Sequence, residues 1–259
     1  METPTNNTNT QPIKEIKQNM NGIEIYESLS KRQKEQFQEL TNLLIEENTR
    51  CNLTRITDPE QIMSRHILDS LTAVSLLNDY ASKLDRATFL IDIGSGGGFP
   101  VIPLAIALPD WNFVSVDATA KKIQFQRLVA DKLSLDNIEL LQERAEELAH
   151  DEEYRQRFDF ATTRAVGSLN IIAELSAAFI RKGGRFLTWK GPKVEQELAA
   201  GTKALEVLGL NEVRQIPYNV QDAAHSNCRL LVAKKVKNTA SKYPRPFKDI
   251  KAAPLNFTH

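Results

Sequence analysis

Two cysteines in 259 residues, Cys51 and Cys228, are too few for a disulfide framework or for a zinc site of their own. Their scarcity fits a reducing compartment, and each is read as a small buried thiol. Net charge is missing too: 33 Lys and Arg balance 33 Asp and Glu, so no global field draws the chain toward nucleic acid. No apolar run approaches the roughly 20 residues of a membrane helix. The opening stretch "METPTNNTNTQPIKEIKQNM" lacks the apolar core of a secretory signal and the arginines of a transit peptide. The expectation is a cytoplasmic protein whose residues 1–21 form a disordered tail, because Thr, Asn and Gln offer nothing to bury. No cluster suggests a metal, and nothing demands more than a monomer.

Charge is present but uneven. Residues 139–153, "ELLQERAEELAHDEE", are acidic, whereas residues 229–251 carry eight Lys or Arg against one Asp. Such a basic stretch is a solvated face or tail, or a phosphate-contacting arm.

The pattern divides the chain into a helical region over 22–86, an alternating region over 87–237 and a basic tail over 238–259. In "SKRQKEQFQELTNLLIEENTR", Phe37, Leu40, Leu43 and Leu44 recur at helical spacing, with Ser30 as N-cap and Gln33 completing a capping box. Asp58 and Pro59 start a second helical stretch. From Ala87, short apolar runs ("TFLIDI", "NFVSVD", "NIELLQ", "FDFATT", "GGRFLTWKG") alternate with amphipathic helices. "EVRQIPYNV" and "NCRLLVAKKV" pair as the last strands. Seven strands alternating with helices predict an α/β, Rossmann-like, mostly parallel sheet under an N-terminal helical layer.

The chain has 11 glycines, and four of them crowd into "DIGSGGGFP", after the first strand. Open α/β sheets bind ligands at such strand ends. A dinucleotide fingerprint wants G-x-G-x-x-G, but Phe99 stands at the third glycine, and a phosphate loop wants Gly-Lys-Ser/Thr, which is absent. The spacing that fits is Asp92-x-Gly94-x-Gly96-x-Gly98. An acid before the first glycine gains nothing from a pyrophosphate. It does suit S-adenosyl-L-methionine, whose sulfonium and amino groups are positive. Asp117, at the next strand end, can accept from two ribose hydroxyls; alone it suits NAD equally well. Ala145 and Glu146, after the third strand, can meet adenine, or simply start a helix.

These residues resemble a known family, the bacterial 16S rRNA guanine-N7 methyltransferases, also called glucose-inhibited division protein B. The likeness spans roughly residues 25–251. It rests on "NLTRITDP" (52–59), "RHILDS" (65–70), "LIDIGSGGGFPVIPLAI" (90–106), "TTRAVGSL" (162–169), "WKG" (189–191) and "KYPR" (242–245). The resemblance implies a class I S-adenosylmethionine-dependent methyltransferase acting on N7 of one guanine in 16S rRNA, on the small ribosomal subunit or its assembly intermediate. It implies cofactor contacts at Gly94, Phe99, Asp117, Ala118, Thr119, Ala145, Glu146 and Arg164, and functional basic positions at Arg164 and Lys190. The chain departs from the family where Val101 follows Pro100, and in "YPRPFKDIKAAPL", which lacks a glycine.

Guanine N7 carries a free lone pair, so its methylation requires alignment rather than a general base. Neither cysteine sits in the Pro-Cys setting of pyrimidine C5 chemistry, and the fourth strand does not run into Asn/Asp-Pro-Pro-aromatic. Arg164 is expected where substrate and cofactor meet, forking to guanine O6 or a phosphate. Lys190 is expected on a backbone phosphate, and Arg65, Lys121 and Lys122 near RNA. His66 and Asp69 are read as a structural link between helical layer and loop, and Trp189 as core. The competing readings are a methyltransferase of a small molecule or protein, an NAD-linked oxidoreductase, and a silent RNA-binding factor.

Overall fold

The computed structural model describes residues 21–218 and 228–255. The expected tail therefore lies outside the described residues, except for Asn21, whose side chain caps the first helix.

Seven strands form one sheet: β1 (Phe89–Ile93), β2 (Asn112–Val116), β3 (Ile138–Leu141), β4 (Phe158–Arg164), β5 (Ile180–Lys190), β6 (Leu210–Pro217) and β7 (Arg229–Lys235). Their order is β3-β2-β1-β4-β5-β7-β6. β1 to β5 run parallel, and β7 enters antiparallel between β5 and β6. The strand order reverses beside β1, so the ends of β1 and β4 flank the crevice where such sheets hold ligands.

Adjacent residues in the strands point to opposite faces, and both faces are buried. Leu90, Phe113, Phe160 and Leu187 join the first core with Phe37, Leu40 and Leu44. Ile91, Val114, Ala161 and Phe186 join the second with Ile172, Leu205 and Ile250. Each such fully buried side chain is worth about 1.5–3 kcal/mol.

The N-terminal helices cover the first face: α1 (Gly22–Ser28), α2 (Lys31–Cys51), α3 (Pro59–Ile62), α4 (Asp69–Leu71) and α5 (Val74–Ala81). They share one continuous core with the sheet. Both expected starts are present. Ser30 and Gln33 form the capping box of α2, and Asp58 caps α3 with Pro59 in its first turn. Gln33 also donates to the Ile106 carbonyl at 2.8 Å, which ties the layer to α6 (Val101–Ala107). One feature departs from the expected regular helix: Met63–Leu68 forms a π-helical segment between α3 and α4. The widened turn carries Arg65 and His66, and such segments concentrate at functional sites.

The remaining helices are α7 (Ala120–Leu133), α8 (Ala145–Leu148), α9 (Leu169–Ala177), α10 (Val194–Val207) and α11 (Phe247–Ala252). The basic C-terminal stretch corrects one sequence reading. It is packed onto the body rather than loose, although only part of its charge is buried. Lys235 is fully buried, donating to the Leu208 carbonyl at 2.7 Å and to the Thr239 hydroxyl; burial pulls its pKa down to about 7. Arg245 forks onto the buried Glu174 of α9 at 2.8 and 2.7 Å. Arg155 ties down the Tyr243 and Thr239 carbonyls at 3.0 and 3.1 Å. Lys235 and Arg245 are thus consumed by buried groups, while Lys237, Lys242, Lys248 and Lys251 stay exposed as a solvated face.

Candidate active site

The loop after β1 is built from left-handed turns. Gly94, Gly96 and Gly98 have φ of +70°, +61° and +88°, a region that costs a side-chain residue about 1–2 kcal/mol. Their surroundings differ. A Cβ on Gly98 would meet Ile102 of α6 at 2.2 Å, and one on Gly94 would meet Val166 at 2.7 Å. A Cβ on Gly96 would meet nothing within 4 Å. Gly98 thus serves packing, whereas Gly96 opens onto free space.

A buried polar cluster holds this loop. The Ser115 hydroxyl lies 2.7 Å from Ser95 Oγ and 2.6 Å from Gln126 Oε1, and Gln126 Nε2 donates to the Gly96 carbonyl at 2.8 Å. Sequence reasoning missed these residues. The available signal was polarity at positions inside a strand and on the buried face of α7.

Asp117, at the end of β2, closes the loop from the far side. Oδ2 accepts the Gly96 N–H at 2.9 Å and faces Lys122 Nζ at 3.4 Å, and Oδ1 accepts the Thr119 N–H at 2.9 Å. Gly96, Asp117, Thr119 and Lys122 are therefore joined directly, and the Gly94 N–H is held by the Val116 carbonyl at 2.8 Å. Ala118 and Lys121 are exposed beside them. Asp92 itself is fully buried. Its Oδ1 accepts the Thr162 hydroxyl at 2.8 Å, and its Oδ2 has no hydrogen-bond partner among the described residues. Burial raises its pKa to about 7, against the opposing hydrogen bond from Thr162.

Where β4 ends, Arg164 meets the helical layer. One guanidinium nitrogen donates to Asp69 Oδ2 at 2.7 Å and to the Arg65 carbonyl at 3.2 Å. The guanidinium also lies 5.7 Å from the centre of the Phe99 ring. Asp69 Oδ1 accepts the Tyr218 hydroxyl at 2.8 Å, and the Asp69 carbonyl accepts the Trp189 indole N–H at 2.9 Å. Asp69 thus joins α4 to the ends of β4, β5 and β6. His66 stacks on Phe99, with centroids 4.7 Å apart, and meets the Thr54 hydroxyl at 3.0 Å. Burial, then the charge of Arg164, lowers its pKa to about 4, so the imidazole is neutral at pH 7. Both residues link helical layer and loop, and Trp189 is core.

Arg65, His66, Asp69, Arg164, Trp189, Lys190 and Glu197 border a cleft of about 710 Å³. Lys190 is buried there, donating to the Gly167 carbonyl at 3.0 Å and to Glu197 Oε2 at 2.7 Å. Ala145 and Glu146 begin α8 after β3, half-buried. Glu146 lines a separate cleft of about 550 Å³ with Arg144 and Phe247. Another cleft, about 780 Å³, opens at the amino ends of the strands around Phe89 and Asn112. It lies at the wrong end of the sheet for this loop. Among the described residues no three His, Cys, Asp or Glu gather to hold a metal ion, and no helix is long and apolar enough to cross a membrane.

The model of a family described as rRNA small subunit methyltransferase G matches residues 33–226. The chain belongs to the rRNA small subunit methyltransferase G family. Relatives of that name include one from Lactobacillus helveticus, 41% identical over 217 residues, covering 84% of this chain and 89% of the relative. Another, from Clostridium botulinum, is 39% identical over 222 residues, covering 85% and 90%. Two solved structures share the fold of this methyltransferase at 16% identity. The METTL16 methyltransferase domain has a TM-score of 0.53 over 80% of this chain and 81% of its own. A SAM-dependent methyltransferase from Aquifex aeolicus has a TM-score of 0.50 over 71% and 97%. The chain is thus a class I S-adenosylmethionine-dependent rRNA methyltransferase.

Proposed function

We propose that the enzyme methylates N7 of a guanine in 16S rRNA, in the cytoplasm, as a monomer acting on the small subunit or an assembly intermediate of it. One observation carries the cofactor half of this reading. Gly96 opens onto free space 2.9 Å from the carboxylate of Asp117, a cradle for an amino-acid moiety with a ribose acceptor beside it. The residues fit S-adenosylmethionine better than a dinucleotide, because Asp92 and Asp117 flank the turn and Lys122, the lysine beside it, is paired with Asp117. Asp92, Gly94, Gly96, Phe99, Asp117, Ala118, Thr119, Ala145, Glu146 and Arg164 form the proposed cofactor shell. S-adenosylmethionine supplies an electrophilic methyl on a sulfonium.

The chain's own residues do little chemistry, as N7 requires. Guanine N7 uses its lone pair to form the N–CH3 bond while the S–CH3 bond breaks, so no proton has to move. Neutral His66 adds no positive charge beside the developing base cation. Asp69 holds Arg164 in one orientation, and Phe99 and His66 wall the crevice against water. Arg65, Lys121, Lys122 and Lys190 form the proposed RNA side. Calorimetry with S-adenosylhomocysteine and with NAD tests this reading. It expects binding of the first only, and binding of NAD alone would end it.

A further inference from the structure

We infer that Lys190 and Glu197 form a base-reading pair that selects guanine and leaves its N7 free. The inference rests on the proposed guanine-N7 reading and names the subsite that would hold the base.

Guanine presents an acceptor at O6 and, next along its Watson–Crick edge, donors at N1 and N2; adenine offers a donor at N6 and an acceptor at N1. A protein that takes guanine by this edge needs a donor beside an acceptor, and N7 then stays uncovered on the other side of O6. The cleft offers that combination in one place. Lys190 and Glu197 stand 2.7 Å apart on its wall.

Asp69 and Trp189, the other polar groups at the floor of the cleft, are committed. Asp69 is buried, and its two oxygens already accept from Arg164 and Tyr218. Arg164 Nη1 is spent on Asp69 and the Arg65 carbonyl, and its Nη2 faces His66 Nδ1 at 3.4 Å. The Trp189 N–H is taken by the Asp69 carbonyl. Glu197 differs. Lys190 engages one of its oxygens, and 30% of its side chain remains exposed. It sits in the first turn of α10, where the helix dipole favours an anion. Lys190 is 7% exposed, so burial fixes its direction. Two of its three N–H groups serve Glu197 and Gly167, which leaves the third for O6.

The pair also suits the product. Methylation leaves a positive charge on the base, which a lone lysine would oppose. The Glu197 carboxylate offsets the lysine charge, so the pair sets no net positive charge against the methylated base. An anchoring role alone, with α10 pinned to β5, would be indifferent to the base, and that difference makes the inference testable.

The experiment measures kcat/KM for methyl transfer to small-subunit particles reconstituted with guanosine or inosine at the acceptor position. Inosine lacks only the N2 amino group. The wild-type protein and Glu197→Gln are compared, with S-adenosylhomocysteine affinity as the control for folding. A good edge contact discriminates by about ten- to a hundredfold. The expected result is a loss of that order for Glu197→Gln on guanosine, unchanged S-adenosylhomocysteine affinity, and a wild-type preference for guanosine over inosine that collapses in the variant. Full activity in Glu197→Gln, or an undiminished guanosine preference, overturns the pair. So does loss of S-adenosylhomocysteine affinity, which would place Glu197 in the scaffold. If the wild-type protein methylates neither particle, the guanine-N7 reading itself fails, and the pair with it.

Discussion

Replacing Asp92 by Asn should make the protein more stable, and only above a definite pH. The carboxyl is wholly enclosed between β1 and β4, one oxygen lacks any partner among the described residues, and burial lifts its pKa from 3.8 to about 7. The folded state therefore holds a proton that the unfolded chain releases near pH 4. A raised acid contributes stability that is complete below the unfolded value and is lost as pH climbs through the folded one. At about 1.4 kcal/mol for each tenfold change in proton affinity, moving from 3.8 to about 7 sets a ceiling of about 4 kcal/mol. Relaxation around a buried charge reduces this to about 2–4 kcal/mol. Asn mimics the protonated form, so the variant should match the wild-type protein near pH 4. Above pH 7 it should melt higher, by about 4–16 °C at the usual 2–4 °C per kcal/mol for a chain of this size. Thermal melts of both ligand-free proteins from pH 4 to 9 check this. A difference in melting temperature that stays flat across that range refutes the reasoning. Under the proposed cofactor reading, saturating S-adenosylhomocysteine should shrink the difference, its ammonium group favouring the ionised Asp92 through the field of the site.

Three further outcomes follow from the same geometry. Asp117→Ala should weaken S-adenosylhomocysteine binding by about 1.5–3 kcal/mol, the worth of hydrogen bonds to a charged group; unchanged affinity by calorimetry would remove Asp117 from the site. Gly96→Ala should cost the fold only the 1–2 kcal/mol of its left-handed turn, because no protein atom opposes the methyl. Cofactor affinity should fall much further, and a chemical melt paired with calorimetry separates the two effects. Asp69→Ala leaves the Arg164 charge buried without its carboxylate, so urea unfolding should show a loss of about 3–5 kcal/mol, and a loss under 1 kcal/mol would mean Asp69 is no hub.

Much of the fold was legible because its causes are local. Ser30 with Gln33, and Asp58 with Pro59, mark helix starts through neighbours three residues apart or closer, and the strands announce themselves by short apolar runs. The glycine loop was legible for the same reason: three left-handed turns at alternate positions demand glycine. What stayed hidden depends on distant partners. Asp69 meets Tyr218 149 residues away, and Arg245 meets Glu174 71 residues away, so no periodicity reports either pair. The π segment is equally silent, because its apolar residues still recur at nearly helical spacing. Lys190 illustrates the limit. As a sequence position it is a lysine after a strand, free to grip phosphate; in the fold it is buried against Glu197.

The central claim is that the methyl reaches N7 of guanine on small-subunit rRNA. Particles from cells lacking this gene, incubated with the purified protein and labelled S-adenosylmethionine, then digested to nucleosides, test it most directly. The account predicts label in N7-methylguanosine. Label in another nucleoside, or in ribosomal protein alone, would contradict it.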